Sequence, residues 1–252
     1  MANTNLNGGQ SAKPSQQPIG PPVSLSQPSR RPSRVTLTGQ SVTIRPLLPS
    51  DAESLFGIVK GKENERLFTY LFDNPYPSLE AFQAAVSQKS QSGDPLFFAI
   101  VDNTNSIPVG WATLMRIDTT HRVVEVGNIL FSPRLQRTKA ATEAMYLLAK
   151  YVFEDLKYRR YEWKCDNLNA PSKRAAARYG FVFEGVFRKH MVYKGRGRDT
   201  CWFAMVDEDW WKGGVKAGFE GWLDDRNFDS DGRQQRTLED IRSQVQAQEG
   251  NS

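Results

Sequence analysis

The chain has 252 residues, 39% of them hydrophobic and 24% charged, with a formal net charge of +5. That is enough chain for one core of ordinary size plus tails, and no apolar run approaches the roughly 20 residues of a membrane helix, so no membrane partner is expected. Positions 1–50 carry five basic residues (Lys13, Arg30, Arg31, Arg34 and Arg45) and no Asp or Glu, which leaves 28 basic against 28 acidic residues in the remainder. A neutral body with a basic tail disfavours nucleic acid as a partner.

The N-terminus lacks the apolar core of a secretory signal, and two cysteines in a chain this long point to a reducing compartment, so a cytoplasmic location is expected. Cys165, Cys201, His121 and His190 show no ligand-like spacing, and no metal is expected.

In chain order, residues 1–33 are rich in Pro, Ser, Gln, Asn and Gly, too polar to bury a core, and read as a disordered basic tail. Two alternating runs around Thr38-Gly39-Gln40 predict a hairpin, and Pro49-Ser50-Asp51 opens a helix through about Lys60. Arg66 to Pro77 is aromatic and Pro-interrupted. Its position makes it either a packed surface loop or one wall of an acceptor pocket, and its aromatic part, Leu67 to Tyr76, favours a small, partly apolar acceptor. A helix from Ser78 to about Gln91 follows, then strands LFFAIVD and PVGWATLMRI joined by Asn103 to Ser106.

The central stretch runs from Glu125 to Leu156. Val126, Ile129, Leu130 and Phe131 predict a strand that Ser132-Pro133 stops, and the spacing of Ala141, Ala144, Met145, Leu148, Val152 and Leu156 predicts an amphipathic helix. Their polar join holds Arg134, Gln136, Arg137, Thr138 and Lys139. A helix start has unpartnered N–H groups and partial positive charge, and the small Ala140 and Ala141 allow close approach, so the join is a candidate phosphate cradle. An ordinary strand–turn–helix with a solvated basic turn fits these residues equally. A strand from Tyr158 to Cys165, a helix from Ala170 to Tyr179 stopped by Gly180, and strands Val182–Val192 and Asp199–Val206 complete the series, with KGRGR read as the turn between the last two. Beyond Trp210 periodicity is lost; Asp224 to Gly232 reads as an acidic loop and Thr237 to Gln246 as a short helix.

Gln136 and Ala141 stand at the ends of a Gln/Arg-x-x-Gly-x-Gly/Ala pattern, followed by Thr142-Glu143-Ala144. This stretch resembles the acyl-CoA-binding motif of the GNAT family of N-acetyltransferases, with Lys139 where the family usually has Gly. Gly180-Phe181-x-Phe183-Glu184-Gly185 resembles a signature of the ribosomal-protein alanine acetyltransferase branch, and Asn169 with Ser172 matches its Asn-x-x-Ser arrangement. The resemblance implies a mixed α/β fold, a largely antiparallel twisted sheet flanked by helices, over residues 41–207. Residues 208–252 are then an extension, partly helical or disordered.

It further implies acetyl-CoA as cosubstrate and an amine, either a small molecule or a protein N-terminus, that attacks directly in a ternary complex. Glu125 falls on the family's general base; its local alternatives are a solvent-facing strand-end Glu or a pair with Arg122. Ile129, Leu130 and Phe131 would bind pantetheine through their backbone, with Ile129 or Leu130 N–H serving the oxyanion. Gln136, Arg137, Thr138, Lys139, Ala140, Ala141 and Thr142 would hold the diphosphate. Asn169 would contact the cofactor and Ser172 would serve the leaving thiolate, although either residue is also a fitting helix cap. Two positions depart from the pattern: Ala176 stands where many members place an acidic Tyr, and Met191 where the branch has Glu. A non-catalytic acyl-CoA-binding regulator is the alternative function. A monomer and a homodimer are both compatible with the sequence.

Overall fold

The computed structural model describes residues 17–23 and 29–249. After a short hairpin, β1 (Leu37–Thr38) and β2 (Val42–Pro46), come helices α1 (Ala52–Val59) and α2 (Leu79–Gln91). Strands β3 (Leu96–Asp102), β4 (Ile107–Asp118) and β5 (Val123–Phe131) lead into α3 (Lys139–Lys150), which ends in a wider turn, Tyr151–Asp155. Then follow β6 (Arg160–Asp166), α4 (Ala170–Arg178), β7 (Val182–Tyr193), β8 (Arg196–Val206), and three helices: α5 (Asp207–Trp211), α6 (Val215–Leu223) and α7 (Leu238–Glu249). The strands form one sheet in the order β1-β2-β3-β4-β5-β6-β8-β7, antiparallel throughout except for β5 beside β6. The mixed α/β architecture expected from the sequence is the one observed. No helix among the described residues is long and apolar enough to cross a membrane.

Strand alternation sets the layers. In β3, Leu96, Phe98 and Ile100 face one side and Phe97, Ala99 and Val101 the other, and all six are buried. The first face packs on α3 through Ala141, Ala144, Met145 and Leu148; the second packs on α1 and α2 through Leu55, Phe82 and Val86. The β1–β2 hairpin is fastened to α3 by Glu143, whose carboxylate accepts from the N–H groups of Gln40 (2.6 Å) and Ser41 (2.6 Å).

Two sequence expectations are corrected here. The disorder expected for residues 1–33 falls largely outside the described residues, but residues 29–33 lie on the body. Arg30 donates to Asp155 O (3.2 Å) and Arg34, just beyond, to Ser92 O at the C-terminus of α2 (3.0 Å), while Ser33 N–H reaches the Tyr151 hydroxyl (3.1 Å). Cations at helix C-termini meet the negative end of the dipole and unpartnered carbonyls, which accounts for part of the basic stretch.

The second concerns residues 208–252, which are partly helical as expected but pack into the main core. Trp210, Val215, Phe219, Trp222, Leu238 and Ile241 are buried in the same core as α3, so the core does not end at residue 207. Val215, Phe219 and Trp222 do recur at helical spacing, but Gly218 and Gly221 interrupt the helix-favouring pattern. A Cβ at either would stand 3.1 Å from α7, on Arg242 or Ile241, so the glycines allow close helix packing. Trp210, 1% exposed, stacks on Phe153 (5.5 Å between ring centroids) and Tyr146 (6.0 Å). Trp210→Ala should therefore cost about 3–5 kcal/mol in urea unfolding, as for other buried aromatics. A loss below about 1 kcal/mol would show the C-terminal helices to be dispensable to the core.

Candidate active site

β5 and β6 pair from Val123 opposite Arg160 to Val126 opposite Trp163 and then part, although β5 continues to Phe131 and β6 to Asp166. On its other edge β5 stays with β4 through a bulge. Trp111 faces Leu130 and Thr113 faces Gly127, so Asn128 and Ile129 together oppose Ala112. Asn128 has φ 47°, and its Oδ1 is buried with no partner among the described residues. An extra residue bends and twists a strand, and here the bend accompanies a backbone edge from Gly127 to Phe131 with no strand beside it, where Phe131 O is met by the Gln136 side chain. That edge lines a cleft of about 1190 Å³. A free strand edge beside an orphaned amide oxygen suits an extended molecule that itself carries amides.

The anion cradle forms where β5 ends. Ser132 O accepts from Leu135 N and Gln136 N (3.0 Å each), Gln136 Nε2 donates back to Phe131 O (2.8 Å), and Arg137 takes φ 63°. Thr138 caps α3: its Oγ1 accepts from Ala141 N (3.1 Å) and donates to Leu135 O (2.7 Å). The N–H groups of Arg137, Thr138, Lys139 and Ala140 then donate to nothing among the described residues. Successive free amides at the positive end of a 12-residue helix form an anion-binding concavity. Ala141 and Thr142 stand beside it with different work, Ala141 N–H on the cap and Thr142 Oγ1 accepting from Arg178 (3.0 Å). The Lys139 side chain leaves the cradle for the C-terminal segment, with Nζ 2.7 Å from Asp225 and 4.6 Å from the Phe228 ring centroid. Trp222, Phe228 and Gln234 of that segment line the same cleft.

Glu125, 3% exposed, lines the cleft near the point where the strands part. Its Oε2 accepts from Arg116 Nη1 (2.7 Å) and Lys164 Nζ (2.9 Å), while Oε1 has no partner among the described residues. Lys164 also meets Glu162 (2.7 Å) and lies 3.8 Å from the Trp202 ring centroid. Across the cleft, Ser172 N–H donates to Asn169 Oδ1 (3.1 Å), so Asn169 caps α4. Trp163 Nε1 donates to Ser172 Oγ (2.9 Å), which leaves the serine's own proton for another acceptor. Ala176 is fully buried, and Tyr179 packs between Trp163 and Phe219, with burial raising its hydroxyl above the usual tyrosine range. Cys165 also lines the cleft; burial pushes its thiol up to about 11.

The aromatic segment closes the far end. Tyr70 OH donates to Leu168 O (3.1 Å), Lys194 Nζ to Phe68 O (2.7 Å), and Phe72 meets Tyr193 edge-on at 5.8 Å. Among the cleft residues that sequence reasoning missed are Arg116, Asn128, Trp163, Lys164 and Arg198. The alternation of Glu162 and Lys164 with Tyr161, Trp163 and Cys165 held a signal for two of them. Arg198 was hidden because KGRGR read as a turn. The turn is only Lys194-Gly195, with φ 51° and 68°, a tight two-residue hairpin that puts Arg198 inside β8.

The family model for the GNAT acetyltransferase domain matches residues 41–182. A GCN5-related N-acetyltransferase from Brucella melitensis is 43% identical in sequence, with a TM-score of 0.83 over 86% of this chain and 97% of that one. Probable N-acetyltransferase YjcK of Bacillus subtilis (strain 168) is 24% identical over 179 residues, 69% of this chain and 98% of its own length. Uncharacterized N-acetyltransferase YnaD of the same organism is 29% identical over 86 residues, 34% of this chain, and the match spans only 50% of its length.

The residues fit an acyl-CoA by two features, the strand edge of β5 and the four free amides at the start of α3. Acetyl-CoA should therefore raise the melting temperature, and acetyl-pantetheine, which lacks the diphosphate, should do so far less. Equal shifts would remove the cradle assignment.

Proposed function

This chain belongs to the GNAT family of acetyltransferases and is an acyltransferase, and we propose that it moves an acetyl group from acetyl-CoA to an amine by direct attack in a ternary complex. We place its catalytic apparatus with the ribosomal-protein alanine acetyltransferase branch, on the strength of Asn169, Ser172 and the Gly180–Gly185 signature. One observation carries the reading: Glu125 and Ser172 line the same cleft as the unpaired edge of β5.

Bound acetyl-CoA supplies an activated thioester carbonyl. In this reading the backbone of Ile129, Leu130 and Phe131 holds the pantetheine arm, and an N–H of Ile129 or Leu130 meets the carbonyl oxygen. The amides of Arg137 to Ala140 hold the diphosphate. The Lys164 and Arg116 cations fix Oε2 of Glu125, and Oε1 takes the proton of the attacking amine, directly or through water. A nitrogen–carbon bond forms, the carbon–sulfur bond breaks, and the sulfur leaves as a thiolate that accepts a hydrogen bond from Ser172. Free thiols titrate near 8.5, so at neutral pH that sulfur then takes up a proton from solvent.

Cys165 supports direct attack over a cysteine-bound intermediate. With its thiol pushed up to about 11 by burial, it is protonated at neutral pH and is no nucleophile. Tyr179, three residues beyond Ala176, packs against Trp163 and Phe219 and stands at a different position from the acid missing at Ala176.

The test separates the two catalytic assignments by pH. Glu125→Gln should lower kcat/KM by about two orders of magnitude, within the usual range for general bases. That loss should shrink as pH rises and more amine arrives deprotonated. Ser172→Ala should slow turnover without such recovery, because its task follows attack. Near wild-type activity of Glu125→Gln at every pH would put the base elsewhere.

A further inference from the structure

We propose that Arg198 binds a carboxylate on the acceptor, so that the amine acetylated here belongs to a small amino acid or a compound of that kind. This rests on the acetyltransferase reading above. Arg198 is 7% exposed and lines the cleft. Its Nε donates to Thr200 Oγ1 (3.0 Å), and its guanidinium lies 6.0 Å from the Phe72 ring centroid and 5.8 Å from that of Tyr193. The Nη groups have no acceptor and no carboxylate partner among the described residues. A charge this deeply buried is costly unless paired, and proteins ordinarily supply the partner themselves. Here the ligand is left to supply it.

The acids nearby are already engaged. Asp166 accepts from Leu168 N (2.8 Å) and Tyr193 OH (3.0 Å), Asp199 from Lys189 N (2.7 Å), and Glu125 from Arg116 and Lys164. Arg116 and Lys164 pair with Glu125 and Glu162, Asp166 and Asp199 accept from neutral donors, and no carboxylate among the described residues lies within ion-pair distance of Arg198. The nearby His190 ring is held below the usual imidazole range by desolvation and by the Arg116, Arg198 and Lys164 cations, with Glu125 opposing.

One guanidinium offers a planar fork that matches one carboxylate in shape and charge. A phosphate monoester carries more negative charge at neutral pH than this single cation balances. The rings of Phe72 and Tyr193 beside the fork suit an apolar side chain. A protein N-terminus presents an amide carbonyl where an amino acid has its carboxylate, and so leaves Arg198 unpaired.

Thermal-shift titration with product-like probes tests this directly. With CoA saturating, N-acetylglycine, N-acetylleucine and N-acetylphenylalanine are compared with their amides. At least one acid should bind about 10- to 100-fold more tightly than its amide, the worth of hydrogen bonds to a charged group. Arg198→Met should abolish that difference while keeping the shift given by CoA alone, and Arg198→Lys should keep part of it. Acid and amide binding alike, neither binding, or Arg198→Met discriminating as wild type does would each overturn the proposal, and the wild-type comparison needs no variant to fold. Thiol release with free amines separates the two levels of the claim. If carboxylate-free amines are turned over as well as amino acids, the Arg198 assignment falls and acetyl transfer stands. If CoA gives no shift, both fall.

Discussion

The parting of β5 from β6 is the constraint on which the rest depends. A parallel pair running its full length would satisfy both edges of β5 and leave nothing to bind with. Pairing instead stops at Val126 and Trp163, next to the bulge at Asn128 and Ile129. Because the two strands are parallel, their C-terminal ends lie together, and each is followed by a helix. The N-termini of α3, capped by Thr138, and of α4, capped by Asn169, therefore both border the opening. Ligands in open α/β sheets bind beyond the carboxyl ends of the strands for the same geometric reason.

Charge along the polar face of β6 then places the chemistry. Glu125, Lys164, Glu162, Arg160 and Glu184 form a chain of ion pairs, with Arg116 joining at Glu125. Its inner members, Glu125 and Lys164, have side chains only 4% exposed. At the outer end, hydrogen bonds from Arg160 hold Glu184 below the usual carboxylate range. Removing one partner from such a chain strands a buried charge, which is why the carboxylate of Glu125 has one well-defined place. Arg198 is the exception that the chain does not neutralise, and it lies in the same cleft.

Much of this was legible in the residues themselves. The strand–turn–helix from Glu125 onward, the β1–β2 hairpin and the cap at Asn169 follow from local pattern, because each is specified by neighbours a few residues apart. What stayed hidden depends on distant partners or on residues with weak propensity. Nothing near Glu125 announces Lys164, 39 residues away. Gly218 and Gly221 mask helix α6 because their purpose is contact with α7. Arg30 and Arg34 read as solvated tail charge because the helix ends they serve lie elsewhere in the chain. Two glycines among basic residues made KGRGR look like a five-residue turn, when Lys194-Gly195 alone makes the hairpin.

The central claim is that the free edge of β5 and the free amides at the start of α3 together bind the acyl donor. Hydrogen exchange of backbone amides, with and without acetyl-CoA, measures this directly. Exchange should slow on binding at Gly127–Phe131 and Arg137–Ala140, with smaller changes on the strands remote from the cleft, β1 and β2. Unchanged exchange in both segments, with protection appearing elsewhere, would contradict the account.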